Sequence, residues 1–235
     1  MTTLSRILFF VCLGCLSSGA ALSQPPAAEE RGVEISLVGL GALPERVKIA
    51  DGKRGRDVSV PASGRGQPFR HTGAPHLVFV REETDAEGNV RLVPVAEVTF
   101  SPAWKKVLVV LMSAGQGRFN AQAFDDSAEG FPPGFARVFN FYKSTLAVNN
   151  GAGLAEIAPG ASELMQLHGA RTRMWMKVAV RRPQEWELLP TFVTQVAPNT
   201  RLLLFAYEAP GDEGVMEQRY RSITEVVVTG PLAVR

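Results

Sequence analysis

Few residues of this chain combine a reactive type with a useful spacing. The three histidines are His71, His76 and His168. His71 and His76 are an odd number of residues apart, so they face opposite ways on a regular strand. Neither has a partner at a metal-ligand spacing, and His168 sits in the turn-like LHGAR. Ser63, in PASGRG, lacks the glycine two positions before a nucleophile elbow. Gly151-Ala152-Gly153 begins like a phosphate loop, but no third glycine or helix follows. It reads as a hairpin turn, as does Asp51 to Gly55. The acidic run Glu82 to Asn89 offers oxygen ligands of the kind Ca²⁺ prefers. Its spacing is not that of an EF-hand loop, and a solvated hairpin tip is the expectation. Asp125-Asp126 receives no role. Lys53, Arg54, Arg56, Arg65 and Arg70 read as exposed loop cations. No metal and no cofactor is expected.

One position stands out. In Arg171 to Val180 (RTRMWMKVAV), Met174, Met176, Val178 and Val180 share one face of a strand. Arg173, Trp175 and Lys177 share the other. With the methionine face in the core, Trp175 lies exposed between two cations. Such a ring can stack on a sugar or receive a partner. Arg173, Trp175 and Lys177 are therefore the candidate ligand-binding group. Trp104 and Trp186 lie near turns and are expected to cap the core.

The elements that must position these residues are strands. Val33 to Leu37, Val47 to Ile49 and Val58 to Val60 alternate apolar and polar, the period of a strand with one buried face. Val107 to Met112 and Leu202 to Tyr207 are unbroken apolar runs, which suit strands buried on both sides. The 22 Gly and 16 Pro fall mostly between such runs. The order of strands and turns then occurs twice, displaced by roughly 100 residues. Val47 answers to Leu146, Pro61 to Pro159, Pro94 to Pro190 and Pro102 to Pro198. KKVLVVLMSA parallels TRLLLFAYEA.

Pro132-Pro133-Gly134 is read as a stiff connector between the halves. The expected fold is all-β: two tandem immunoglobulin-like β-sandwich domains, residues 32–130 and 131–230, with about seven strands each. The element order, with fragments such as ARVFNF followed by LAEIAPGAS, resembles the tandem immunoglobulin-like modules of bacterial exported proteins. That resemblance transfers no functional residue.

The N-terminus sets the compartment. Arg6, the apolar run Ile7 to Gly14 and Ala21-Leu22-Ser23 follow the order of a secretory signal. Residues 1–23 are read as the signal peptide and residues 24–31 as a flexible leader. The apolar run is short for a membrane span, which needs about 20 residues. A second route is lipidation at Cys15, which follows Leu13-Gly14. Cys12 and Cys15 are the two cysteines of the chain, so neither route leaves a disulfide in the mature domain.

A net charge of +2 gives no case for nucleic acid. The expectation is an exported, non-catalytic binding or scaffold module of a bacterial cell envelope, in the periplasm or at the surface. Its partner would be an envelope protein or polysaccharide, with membrane contact only through a lipid on Cys15. The alternative is a secreted carbohydrate-active or cell-wall hydrolase. N-terminal sequencing of the exported protein should start at Gln24. A start at fatty-acid-labelled Cys15 would overturn that cleavage site.

Overall fold

The period-two pattern becomes strands throughout, with no helix among the described residues. A computed structural model describes residues 32–52, 54–167, 173–196, 199–210 and 216–227. The expected signal peptide and leader, Cys15 and His168 lie outside them.

The first half supplies β1 (Val33–Leu40), β2 (Arg46–Asp51), β3 (Arg54–Ser59), β4 (Phe69–His71), β5 (His76–Thr84), β6 (Val90–Thr99), β7 (Lys106–Gly115) and β8 (Arg118–Asp125). They form sheet I, in the order β4-β1-β7-β8, and sheet II, β3-β2-β5-β6. The second half supplies β9 (Phe135–Asn140), β10 (Leu146–Asn149), β11 (Leu154–Ile157), β12 (Ser162–Gln166), β13 (Met174–Arg181), β14 (Trp186–Leu188), β15 (Phe192–Thr194), β16 (Thr200–Pro210) and β17 (Met216–Val226). They form sheet III, β12-β9-β16-β17, and sheet IV, β11-β10-β13-β14, with β15 also on β13.

Matched strand for strand, sheet III has the order of sheet I and sheet IV that of sheet II. Even the exceptional parallel pairing recurs, β1 with β7 and β9 with β16. The halves exceed the expected seven strands because short edge strands such as β4 and β12 add a row to sheets I and III.

The halves differ at a proline. In β6 the register jumps from Phe79↔Ala96 to Val80↔Pro94, so Val95 is the extra residue of a bulge. A bulge tolerates the missing N–H of Pro94. In the second half the corresponding strand is interrupted around Pro190, leaving β14 and β15 as separate pieces.

Three cores follow from which face each strand buries. Ile35 and Leu37 of β1 and Val107, Val109 and Leu111 of β7 pack against Val47, Ile49, Leu77 and Phe79 of sheet II. Val138, Leu202 and Leu204 of sheet III pack against Val148, Met176, Val178 and Val180 of sheet IV. The intervening residues, Val38, Leu40, Leu108 and Val110 of sheet I, meet Phe139, Leu203, Phe205 and Ile223 of sheet III. Sheets I and III are thus covered on both faces, and none of Val107 to Leu111 is more than 1% exposed. At this seam Phe139 stacks on Phe205 at 4.7 Å, and Phe124 meets Phe139 edge-on at 4.7 Å. Phe131, from the Pro-rich connector, is fully buried there, so that connector is part of the core rather than a free spacer.

Charges close the rim of the seam. Arg65 bonds Asp126 and reaches Glu225 of β17 at 3.0 Å and Ser36 at 2.9 Å. Arg201 of β16 reaches Glu225 at 3.2 Å and Asp126 at 3.7 Å. Arg65 is therefore not the exposed loop cation its sequence context suggests. Its side chain is 15% exposed, because the β3–β4 loop folds inward to meet two carboxylates. Arg137 and Arg201 lie on Phe131, at 5.0 and 4.8 Å from the ring centre. Arg137 donates to the carbonyls of Asp125 and Gly130. Burial pulls its guanidinium below the ordinary value, with Asp126 and Asp125 acting against that shift.

Two predictions follow from these buried polar groups. Asp126→Asn leaves Arg65 and Arg201 with Glu225 as the one carboxylate they share and should cost about 3 kcal/mol in urea denaturation. A loss below about 1 kcal/mol would mean that the cluster is solvated. Burial also raises the phenols of Tyr142 and Tyr220 far above the usual value near 10. In the unfolded chain both ionise near pH 10, so stability is intact below that pH and declines as pH rises above it. Tyr220 Oη is buried without a partner among the described residues. Tyr220→Phe should therefore be tolerated at pH 7 and flatten the alkaline decline, as read by thermal melts from pH 8 to 11.

Candidate functional site

The outward face of sheet IV is built by register. On β13, Met174, Met176, Val178 and Val180 turn into the core, as the alternation requires. Arg173, just before the strand, and Trp175, Lys177, Ala179 and Arg181 take the alternate positions, on the outward face. Trp175 pairs with Val193 of β15, and Lys177 with Asn149, itself opposite Leu154. Ala179 lies between Ala147 and Leu188, and Arg181 pairs with Trp186. Leu154, Trp175, Leu188 and Val193 are 67, 43, 64 and 45% exposed. They make up most of the large exposed apolar side chains among the described residues. Scattered single apolar side chains need no explanation, whereas four on one sheet face do.

Local contacts hold the aromatics. The β10–β11 turn is an Asx turn, in which Asn150 Oδ1 accepts from the N–H groups of Ala152 and Gly153, both at 3.1 Å. Gly151, at φ 87°, sits beside Trp175, and a Cβ there would come within 3.3 Å of the ring. A glycine lets the indole lie against the turn. Lys177 Nζ stands 5.7 Å from the Trp175 ring centre, and the Arg181 guanidinium 5.1 Å from that of Trp186. Trp186 thus belongs to this outward face rather than capping the core. Trp104 does pack against the first core.

The corresponding face of sheet II is different in kind. Lys48 is held by Asp57 at 3.3 Å and Glu82 at 3.4 Å, and His76 lies 3.4 Å from Glu97. A cleft of about 450 Å³ opens beside them between the two sheets of the first half, lined by Val47, Val80 and Val95 of sheet II and Phe119 of sheet I. Its carboxylates are those already engaged by Lys48.

The remaining sequence candidates have local tasks. His71 bonds the Ala74 carbonyl at 2.8 Å and meets Phe100 edge-on. Asp85 accepts from the Asn89 N–H at 2.8 Å and the Glu87 N–H at 3.1 Å, and these bonds hold its carboxyl below the usual range. Glu83 binds Arg81 and Arg91, so the acidic run is a self-satisfied hairpin tip. Ser63 is exposed in a bend. No three His, Cys, Asp or Glu side chains among the described residues are grouped to hold a metal ion.

Sequence reasoning missed two sets of residues. The first is the seam cluster of Arg65, Asp126, Arg201 and Glu225, whose members lie far apart in the chain. The second is the set of aliphatic neighbours of Trp175, which come from three other strands. No protein-family model matches the chain, and no curated protein matches it.

Proposed function

We propose that this is an exported, non-catalytic binding or scaffold module of a bacterial cell envelope, with the outward face of sheet IV as its docking surface for an envelope protein or polysaccharide. The observation carrying this reading is the contrast between corresponding faces. The outer side of sheet II holds Lys48 paired with Asp57 and Glu82 and a single large exposed apolar side chain, Val90, among the described residues, whereas sheet IV presents Trp175, Leu154, Leu188 and Val193 together. Exposed aromatic and apolar side chains amid cations are the composition of an interface core, and tryptophan and arginine lead among residues that dominate binding.

The same proposal takes residues 32–130 and 131–230 as tandem sandwiches of an internal repeat. The shared strand orders and the recurring parallel pair support it. They are immunoglobulin-like in size and two-sheet layering, and each carries one parallel pair, β1–β7 and β9–β16.

Co-sedimentation of the protein, expressed from its full sequence, with isolated cell envelopes tests the docking face. Trp175→Ala and Leu188→Glu should each weaken retention by at least about tenfold, with unchanged thermal melts because both side chains are exposed. Retention that survives both changes would overturn the assignment of this face.

A further inference from the structure

We infer that the occupant of the outward face of sheet IV is an anionic polysaccharide. The inference rests on the docking-face reading and adds the chemistry of the ligand. Arg173, Lys177 and Arg181 recur at every fourth position along the outward side of β13, spanning roughly 27 Å at about 3.4 Å per residue. Among the described residues, none of the three has a carboxylate within ion-pair distance, and Glu156 of β11 is the acid on this face. Elsewhere on the surface, Lys48, Arg81, Arg91, Lys106, Arg182 and Arg219 are paired with neighbouring acids, and Arg46, Lys105, Arg118 and Lys143 are exposed without an ion pair among the described residues but do not line up along one strand. A strip of unneutralised cations calls for a negative occupant.

The aromatic partners narrow the class. Each of two tryptophans carries its own cation, Trp175 with Lys177 and Trp186 with Arg181. A sugar ring can lay its C–H face on an indole while its carboxylate or sulfate meets the adjacent cation. Ala147 and Ala179 keep the surface between the two tryptophans shallow. The result is a flat strip rather than a pit, a shape that takes an extended polymer.

A second copy of this chain does not fit, because two-fold pairing of the face about β13 would bring the three cations of one copy against the three of the other. Single-stranded nucleic acid is disfavoured. The chain's net charge is +2, and on the corresponding face of the first half Lys48 is already held by Asp57 and Glu82.

Affinity electrophoresis of the protein in gels containing polygalacturonate provides the test, with neutral dextran, polyglutamate and oligodeoxythymidine as comparisons. Polygalacturonate should retard the protein, and the effect should weaken as salt rises. Trp175→Ala, and the pair Arg173→Ser with Lys177→Ser, should each reduce retardation at least tenfold, while Lys48→Ser on sheet II leaves it unchanged. Equal retardation by dextran would overturn the anionic assignment while leaving the docking face standing. Stronger retardation by polyglutamate or oligodeoxythymidine through the same residues would replace the polysaccharide with that polymer. No retardation by polygalacturonate, with envelope retention still lost in Trp175→Ala, would refute this inference alone. Loss of neither would refute the docking face as well.

Discussion

Burial of sheets I and III on both faces is the constraint on which the other layers depend. A strand apolar on both sides cannot face water, so each of these sheets needs two covers. Sheet II covers one side of sheet I, sheet IV covers one side of sheet III, and the two remaining faces cover each other. Phe139, Phe205 and Phe131 fill that last contact. The parallel pairs β1–β7 and β9–β16 lie in the middle of the stack, where parallel strands are usually found. What remains for contact with other molecules is the outward sides of sheets II and IV and the sheet edges.

The ionic cluster at the seam answers a different requirement. An aromatic interface between two sheets fixes distance better than register, because apolar contacts are non-directional. Arg65, Asp126, Arg201 and Glu225 join the β3–β4 loop, the segment after β8 and two strands of sheet III through directed bonds. Arg221 adds a bond from β17 to the carbonyls of Gly39 and Gly64 in the first half. Buried ion pairs add little net stability, since desolvation consumes most of the attraction. Their directional bonds allow one relative placement of the sheets and disfavour slipped ones.

Much of this architecture was legible in local pattern. Alternation along Met174 to Val180 places Trp175 outward, because a buried strand face leaves only two directions for a side chain. The runs at Val107 and Leu202 announce strands covered twice. They do not say by what, since apolar side chains carry no address. The Arg65 cluster was illegible for a related reason: a charge in a Gly-rich loop looks solvated until the loop is seen folded onto a distant carboxylate. Leu154, Leu188 and Val193 each look like ordinary edge residues in sequence. They become a surface only when β11, β14 and β15 are set around β13.

The outward faces carry the sharper distinction between the halves. Strand order, parallel pairing and core placement correspond throughout, so the differences fall where packing does not dictate identity. On sheet II the strand bearing Pro94 absorbs the proline as a bulge and continues for ten residues, and acids neutralise the neighbouring cations. On sheet IV the corresponding strand is interrupted around Pro190, and β15 sets Val193 beside Trp175 while β14 sets Leu188 beside Ala179. Breaking that strand leaves two short pieces that edge an apolar, cationic strip. Neither the core nor the seam requires those outward side chains, and a cluster of exposed apolar residues beside cations is what the proposed docking role would use.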